Sequence, residues 1–204
     1  MSDLGSTLVD VRRAYRLVWA YQRRVMDVVQ FISSNFQNHE FYAWTPLKFN
    51  GSPQLTTNIL RRWAWDGLSL YKASIFFRPV GADPDKLVKD QWYLEVHIDS
   101  DTVEFPEGKA EPDASKFPDV TTTRSKIVLI AWLNTGAARA NWYHQMWNTS
   151  EWPEGDREIV EQSHMPVSCI QLTYDLADFS GKPPIELAVA EFKGMIRAEL
   201  GIEG

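Results

Sequence analysis

The sequence predicts an α+β domain: one mostly antiparallel sheet of four or more strands, packed by a long N-terminal helix and a C-terminal helix, in a single unit spanning residues 1–204. Three observations carry this expectation. Leu8, Val11, Tyr15, Val18, Gln22, Val25, Val29, Ile32 and Phe36 alternate steps of three and four, the seam of a helix over about residues 7–36. Three later runs, "LSLYKASIFFRPV", "QWYLEVHID" and "SKIVLIAWLN", are rich in β-branched and aromatic residues and bounded by turn formers. The chain then closes on "PPIELAVAEFKGMIRAEL", where Ile185, Val189, Phe192 and Ile196 mark one helical face and Gly201 supplies a terminator.

The first helix carries two patterns. Its apolar seam, widened by Trp19 and Met26, is most simply buried against the sheet. A homodimer through this helix is the second expectation for the same seam. On the other side, Arg12, Arg16 and Arg23 share one narrow stripe at about 100° per residue, with Arg13 and Arg24 beside it. Such a ridge is either a solvated face or a docking surface for acidic protein or phosphate.

From Phe41 to Pro53 the chain reads as an aromatic, Pro/Gly-punctuated connection, and "LTTNILRRWAWDG" as a short helix. The third strand-like run is apolar on both faces, which places it centrally with both sides covered. Between the second and third runs, residues 99–119 hold seven acidic residues and two lysines, with prolines at 106, 112 and 118. That composition reads as a mobile acidic loop over about residues 100–123. Further on, "AARANWYHQMW" and "WPEGDREIVEQS" read as short helices, and "VSCIQLTYDL" as a last strand. Gly194, inside the final helix, would permit close approach of a neighbour.

Composition narrows the function. A net charge of −6 argues against a nucleic-acid binder, whose affinity comes from neutralising phosphates. The single cysteine, Cys169, allows neither an intramolecular disulfide nor a Cys-rich zinc site, and a strand position with no adjoining cation makes it a structural thiol. The opening "MSDLGSTLVD" lacks a basic region followed by an apolar run, and the longest apolar run, "IVLIAWL", is too short for a bilayer. A cytoplasmic protein that uses no membrane is the expectation.

No dinucleotide fingerprint, Walker A sequence, nucleophile elbow or H-E-x-x-H occurs. The one stretch that invites chemistry is "WYLEVHIDSD". There Glu95, His97, Asp99 and Asp101 line one face of a strand and Leu94, Val96 and Ile98 the other. If the protein is an enzyme, Glu95, His97 and Asp99 are its catalytic and metal-binding candidates. The solvent-facing side of an ordinary amphipathic strand is the simpler reading. The predicted element order also occurs in metal-dependent nucleases of the restriction-endonuclease type. Those need an acidic residue two before a lysine, where this chain has Glu95-Val96-His97, so no family follows from the order alone.

Aromatic residues point elsewhere. Trp63 and Trp65 adjoin Arg61 and Arg62, while Arg139, Trp142, Tyr143 and Trp147 form a second group. Trp, Tyr and Arg are the residues enriched at interface hot spots. The leading expectation is therefore a non-catalytic cytosolic interaction protein of the adaptor, inhibitor or immunity type. It needs no cofactor and binds a protein partner through Arg12, Arg16, Arg23, the aromatic groups and the acidic loop. A metal-dependent hydrolase using Glu95, His97 and Asp99, and a small-ligand sensor with an aromatic pocket, are the alternatives.

Overall fold

A computed structural model describes residues 4–47, 70–103 and 116–204. Helix α1 (Leu4–Ser34) leads into β1 (His39–Pro46), β2 (Lys72–Pro79), β3 (Trp92–Asp99) and β4 (Lys126–Asn134). After an irregular stretch come β5 (Val160–Glu161), β6 (Val167–Asp175) and helix α2 (Lys182–Leu200). The strands form one six-stranded sheet in the order β1-β2-β3-β4-β6-β5, every pair antiparallel. The α+β class with two flanking helices is thus as the sequence predicts.

Strand alternation divides the sheet into two faces. One face presents Ile75, Phe77, Leu94, Val96, Ile98, Ile127, Leu129, Ile170 and Leu172 to the helices. Val25, Val28, Val29 and Ile32 of α1, with Ile185, Val189, Phe192 and Ile196 of α2, complete that core. Gly201 ends α2 in the left-handed conformation, at φ 68°, as a glycine without Cβ permits.

The opposite face carries Phe76, Tyr93, Val128, Ile130, Trp132 and Cys169, and it too is covered. Its lid is the stretch between β4 and β6, where a π-helical turn at Trp142–Met146 and a 3₁₀ turn at Trp147–Thr149 press Trp142, Met146 and Trp147 onto the sheet. The molecule is therefore three layers deep: helices, sheet, and an aromatic cover with little regular structure.

Three local expectations are corrected. Residues 39–46 form strand β1 rather than a connection. A bulge between Phe41 and Ala43 breaks the alternation that would have announced it. "WPEGDREIVEQS" forms no helix: Arg157 adopts φ 65°, its backbone N–H donates to the Gln171 carbonyl, and Val160 pairs with Cys169 as part of β5. Gly194 faces open space, since a Cβ there would meet nothing within 4 Å. The "LTTNILRRWAWDG" helix and residues 104–115 of the acidic loop lie outside the described residues. At the loop's near end, Val103 is buried and the Thr102 N–H donates to the Arg124 carbonyl.

Candidate functional site

The polar strand face and the arginine helix end up in opposite environments. Because β4 is covered on both sides and β3 is its neighbour, β3 is covered on both sides as well. Glu95 is fully buried, which corrects the reading of its face as solvent-exposed. One carboxylate oxygen accepts from Ser74 Oγ at 2.5 Å; the other accepts from Trp132 Nε1 at 2.7 Å and Trp147 Nε1 at 2.8 Å. Burial nevertheless pushes the Glu95 carboxyl up to about 7, with the three donors pulling the other way.

Ser74 Oγ also lies 3.2 Å from His97 Nδ1, so glutamate, serine and histidine form a chain with serine in the middle. Acyl-transfer triads need histidine in the middle, taking the serine proton. Here the serine hydroxyl is engaged by the carboxylate and Ser74 is itself fully buried, so no substrate carbonyl reaches it. Burial, aided by Lys72, lowers His97 to about 4, which keeps its ring neutral near pH 7. The ring meets Trp152 edge-on at 5.3 Å. Asp99 is pulled away into an ion pair with Lys72 at 3.2 Å. Among the described residues, no three His, Cys, Asp or Glu side chains converge on a position for a metal ion. Glu95, His97 and Asp99 thus share a strand face, with Glu95 and His97 joined through Ser74 and Asp99 paired with Lys72.

The second aromatic group is mostly core. Trp142 is fully buried and stacks on Tyr93 at 4.2 Å and 10°, and Trp147 stacks on the half-buried Tyr143 at 5.3 Å. Trp142 and Trp147, expected on a binding surface, are occupied in closing the sheet. Arg139 remains exposed. Trp63 and Trp65 lie outside the described residues. A concave site of about 450 Å³ lies between α1 and the loops at the sheet end, lined by Tyr21, Arg24, Val28, Arg124, Leu176 and Phe179. Tyr21 and Phe179 are the aromatic residues of its lining, and Trp142, Tyr143 and Trp147 take no part in it.

Helix α1 behaves differently along its length. From Val25 onward its seam is buried, but residues 5–20 are exposed around the full circumference. That half is about 24 Å long at 1.5 Å per residue. It keeps its large apolar side chains in solvent: Tyr15 is 76 % exposed, Leu17 71 % and Trp19 63 %. Between Asp10 and Asp27 there are five arginines and no acidic residue. Arg23 lies over the Trp19 ring at 5.7 Å, Arg13 pairs with Asp10 at 3.0 Å, and Arg24 donates to the Phe179 carbonyl at 2.6 Å. Arg12 and Arg16 have no partner among the described residues. No described helix is long and apolar enough to cross a membrane.

The family model of PM0109 matches residues 1–201. The chain belongs to that family. It is 22% identical over 162 residues to the uncharacterized protein PM0109 of Pasteurella multocida (strain Pm70), covering 75% of this chain and 72% of that protein. No solved structure matches it.

Proposed function

We propose that this member of the PM0109 family is a non-catalytic, cytoplasmic interaction protein whose docking element is the first half of α1. The observation that carries this reading is the exposure of residues 5–20 on every side, although they hold an apolar seam and the start of an arginine stripe. A helix of that length without packing is marginal in water, because nucleation is costly and most helical stability comes from tertiary contacts. Val9, Val11, Val18, Tyr15 and Trp19 are also indifferent helix formers. The half-helix needs a partner to reward its order.

Charge states what that partner is. Five arginines between residues 12 and 24, within a chain of net charge −6, make the helix a local cationic patch on an acidic protein. An acidic protein surface is its complement, with Arg12, Arg16 and Arg23 as the reading face. Self-association through the same helix belongs to this reading and uses the apolar side. The buried Glu95 network supports the non-catalytic part, since its acceptors and donors are spent on one another.

The test is capture of an acidic protein by the tagged full chain, compared with Arg16→Glu/Arg23→Glu. Retention of a stoichiometric partner by the unaltered chain, lost in the double variant and weakened from about 50 to 200 mM salt, supports the reading. Capture that survives both changes contradicts it. A rise in melting temperature with Mg²⁺ or Mn²⁺ that His97→Ala abolishes would instead favour the hydrolase alternative.

A further inference from the structure

We infer that two copies of this chain pair through the first halves of their α1 helices, antiparallel, with Leu8 facing Val18 of the second copy and Val11 facing its Tyr15. The proposal rests on the reading of α1 as a docking element and assigns its apolar side. Leu8, Val11, Tyr15, Val18 and Trp19 fall within an arc of about 100° on the helix. Arg12, Arg16 and Arg23 lie along one border of that arc, and the stripe that buries Val25, Val28 and Ile32 lies along the other. The helix thus has three jobs on three sides: the sheet core takes one, the arginines hold the second, and the apolar arc has no occupant among the described residues.

A second copy suits this arc better than a lipid surface does. The seam alternates steps of three and four from Leu8 to Phe36, the 3.5-residue period that keeps a stripe facing another helix. The arc exposes at most on the order of 600 Å² of side chain, below the roughly 800 Å² per partner of a standard stable interface and in the range of a weak pair.

Orientation follows from where the body sits. A parallel pair would bring both sheets to the same end, where the seam from Val25 onward is already buried in each chain's own core. An antiparallel pair overlaps only the free halves and leaves the two bodies at opposite ends. It also matches sizes, with each Tyr15 against a valine instead of against its own copy. The arginines of both helices then stay in solvent, so pairing doubles the cationic surface offered to an acidic partner.

Bringing two arginine-rich helices together is opposed by like charge, so added salt strengthens self-pairing while it weakens docking to an acidic or lipid partner. Sedimentation equilibrium at about 100 µM, a range in which weak dimers populate, provides the test. The expected mass is twice 23.5 kDa, with dissociation on lowering the salt. Val11→Glu/Val18→Glu should sediment at the single-chain mass and keep the melting temperature of the dilute unaltered chain, because both positions lie in the exposed half. Under mild oxidation, a mixture of Leu8→Cys and Val18→Cys chains should cross-link to each other, while Leu8→Cys alone should not. The buried Cys169 stays out of this reaction. A chain that stays monomeric at this concentration overturns the proposal, as does a double variant that keeps the doubled mass. Cross-linking of Leu8→Cys to itself overturns the antiparallel arrangement. Monomers that instead bind phosphatidylglycerol vesicles, with loss on adding salt, reassign the arc to lipid. Arg16→Glu/Arg23→Glu should leave the doubled mass intact, so loss of acidic-partner capture and loss of pairing are separately visible.

Discussion

Glu95 is where the sequence is easiest to misread at the level of a single side chain. On its own strand the alternation Glu95-Val96-His97-Ile98 describes a half-wet strand. The signal that corrects it lies on the neighbour: "IVLIAWL" is apolar on both faces, and paired strands share their faces. What sequence could not supply is which donors meet the carboxylate, since Ser74 and Trp147 are 21 and 52 residues away. Glu95 and His97 also make opposite demands on pH. A carboxyl raised to about 7 in the folded state binds protons more tightly there than when unfolded, so its contribution is greatest at low pH and is lost as pH rises through 7. A histidine lowered to about 4 gives the reverse, a contribution lost as pH falls from 6.5 through 4. The two therefore offset each other between about pH 4.5 and 6.5. Glu95→Gln removes the first and leaves the second. Urea denaturation should show it more stable than the unaltered chain by roughly 3 kcal/mol at pH 8, with the advantage fading by about pH 5. If the glutamine costs stability at pH 8, the ionised carboxylate is favourable in this site. Glu95→Ala, which orphans two indole N–H groups and opens a cavity, should cost about 2–4 kcal/mol at pH 5 and roughly 3 kcal/mol less at pH 8, since it too removes the titrating carboxyl.

Elements show which signals survive translation into structure. Helix α1, β2, β3, β4, β6 and α2 were all legible because each has a sustained period or a long β-branched run. Strand β1 was not, because its bulge resets the alternation at Ala43 and leaves both Phe41 and Trp44 exposed. The irregular cover over residues 135–166 was not legible either. Its aromatic side chains are placed by long-range packing on Tyr93 and Trp132, which no local pattern encodes. In α1 the seam predicted burial along its whole length, and only the half from Val25 has it. Periodicity reports that a face wants cover, and it is silent on which surface supplies it. Removing residues 1–20 should therefore shift the melting temperature of the dilute protein by no more than about 2 °C, whereas Ile32→Ala, at a fully buried position, should cost about 2–4 kcal/mol. A truncation that unfolds the protein would mean that the free half supports the body.

As a whole, the protein divides into a body whose polar strand face is buried and a helix whose first half is exposed. The body buries its polar strand inside an aromatic layer and fills both sheet faces from its own sequence. The arm carries exposed tyrosine and tryptophan, an arginine border and an apolar arc. Composition points toward interaction through tryptophans, yet Trp132, Trp142 and Trp147 are core, while Trp19, in the first half of α1, is exposed. That exposure is a property of the assembled fold, because it depends on which surfaces the rest of the chain brings to the helix. Hydrogen exchange of the full chain at two concentrations, about 1 µM and about 100 µM, tests this division most directly. Amides of residues 5–20 should exchange rapidly in the dilute sample and gain protection in the concentrated one, while those of β3 and β4 remain equally protected in both. Protection of residues 5–20 that is already complete at 1 µM, or absent at both concentrations, would contradict this division.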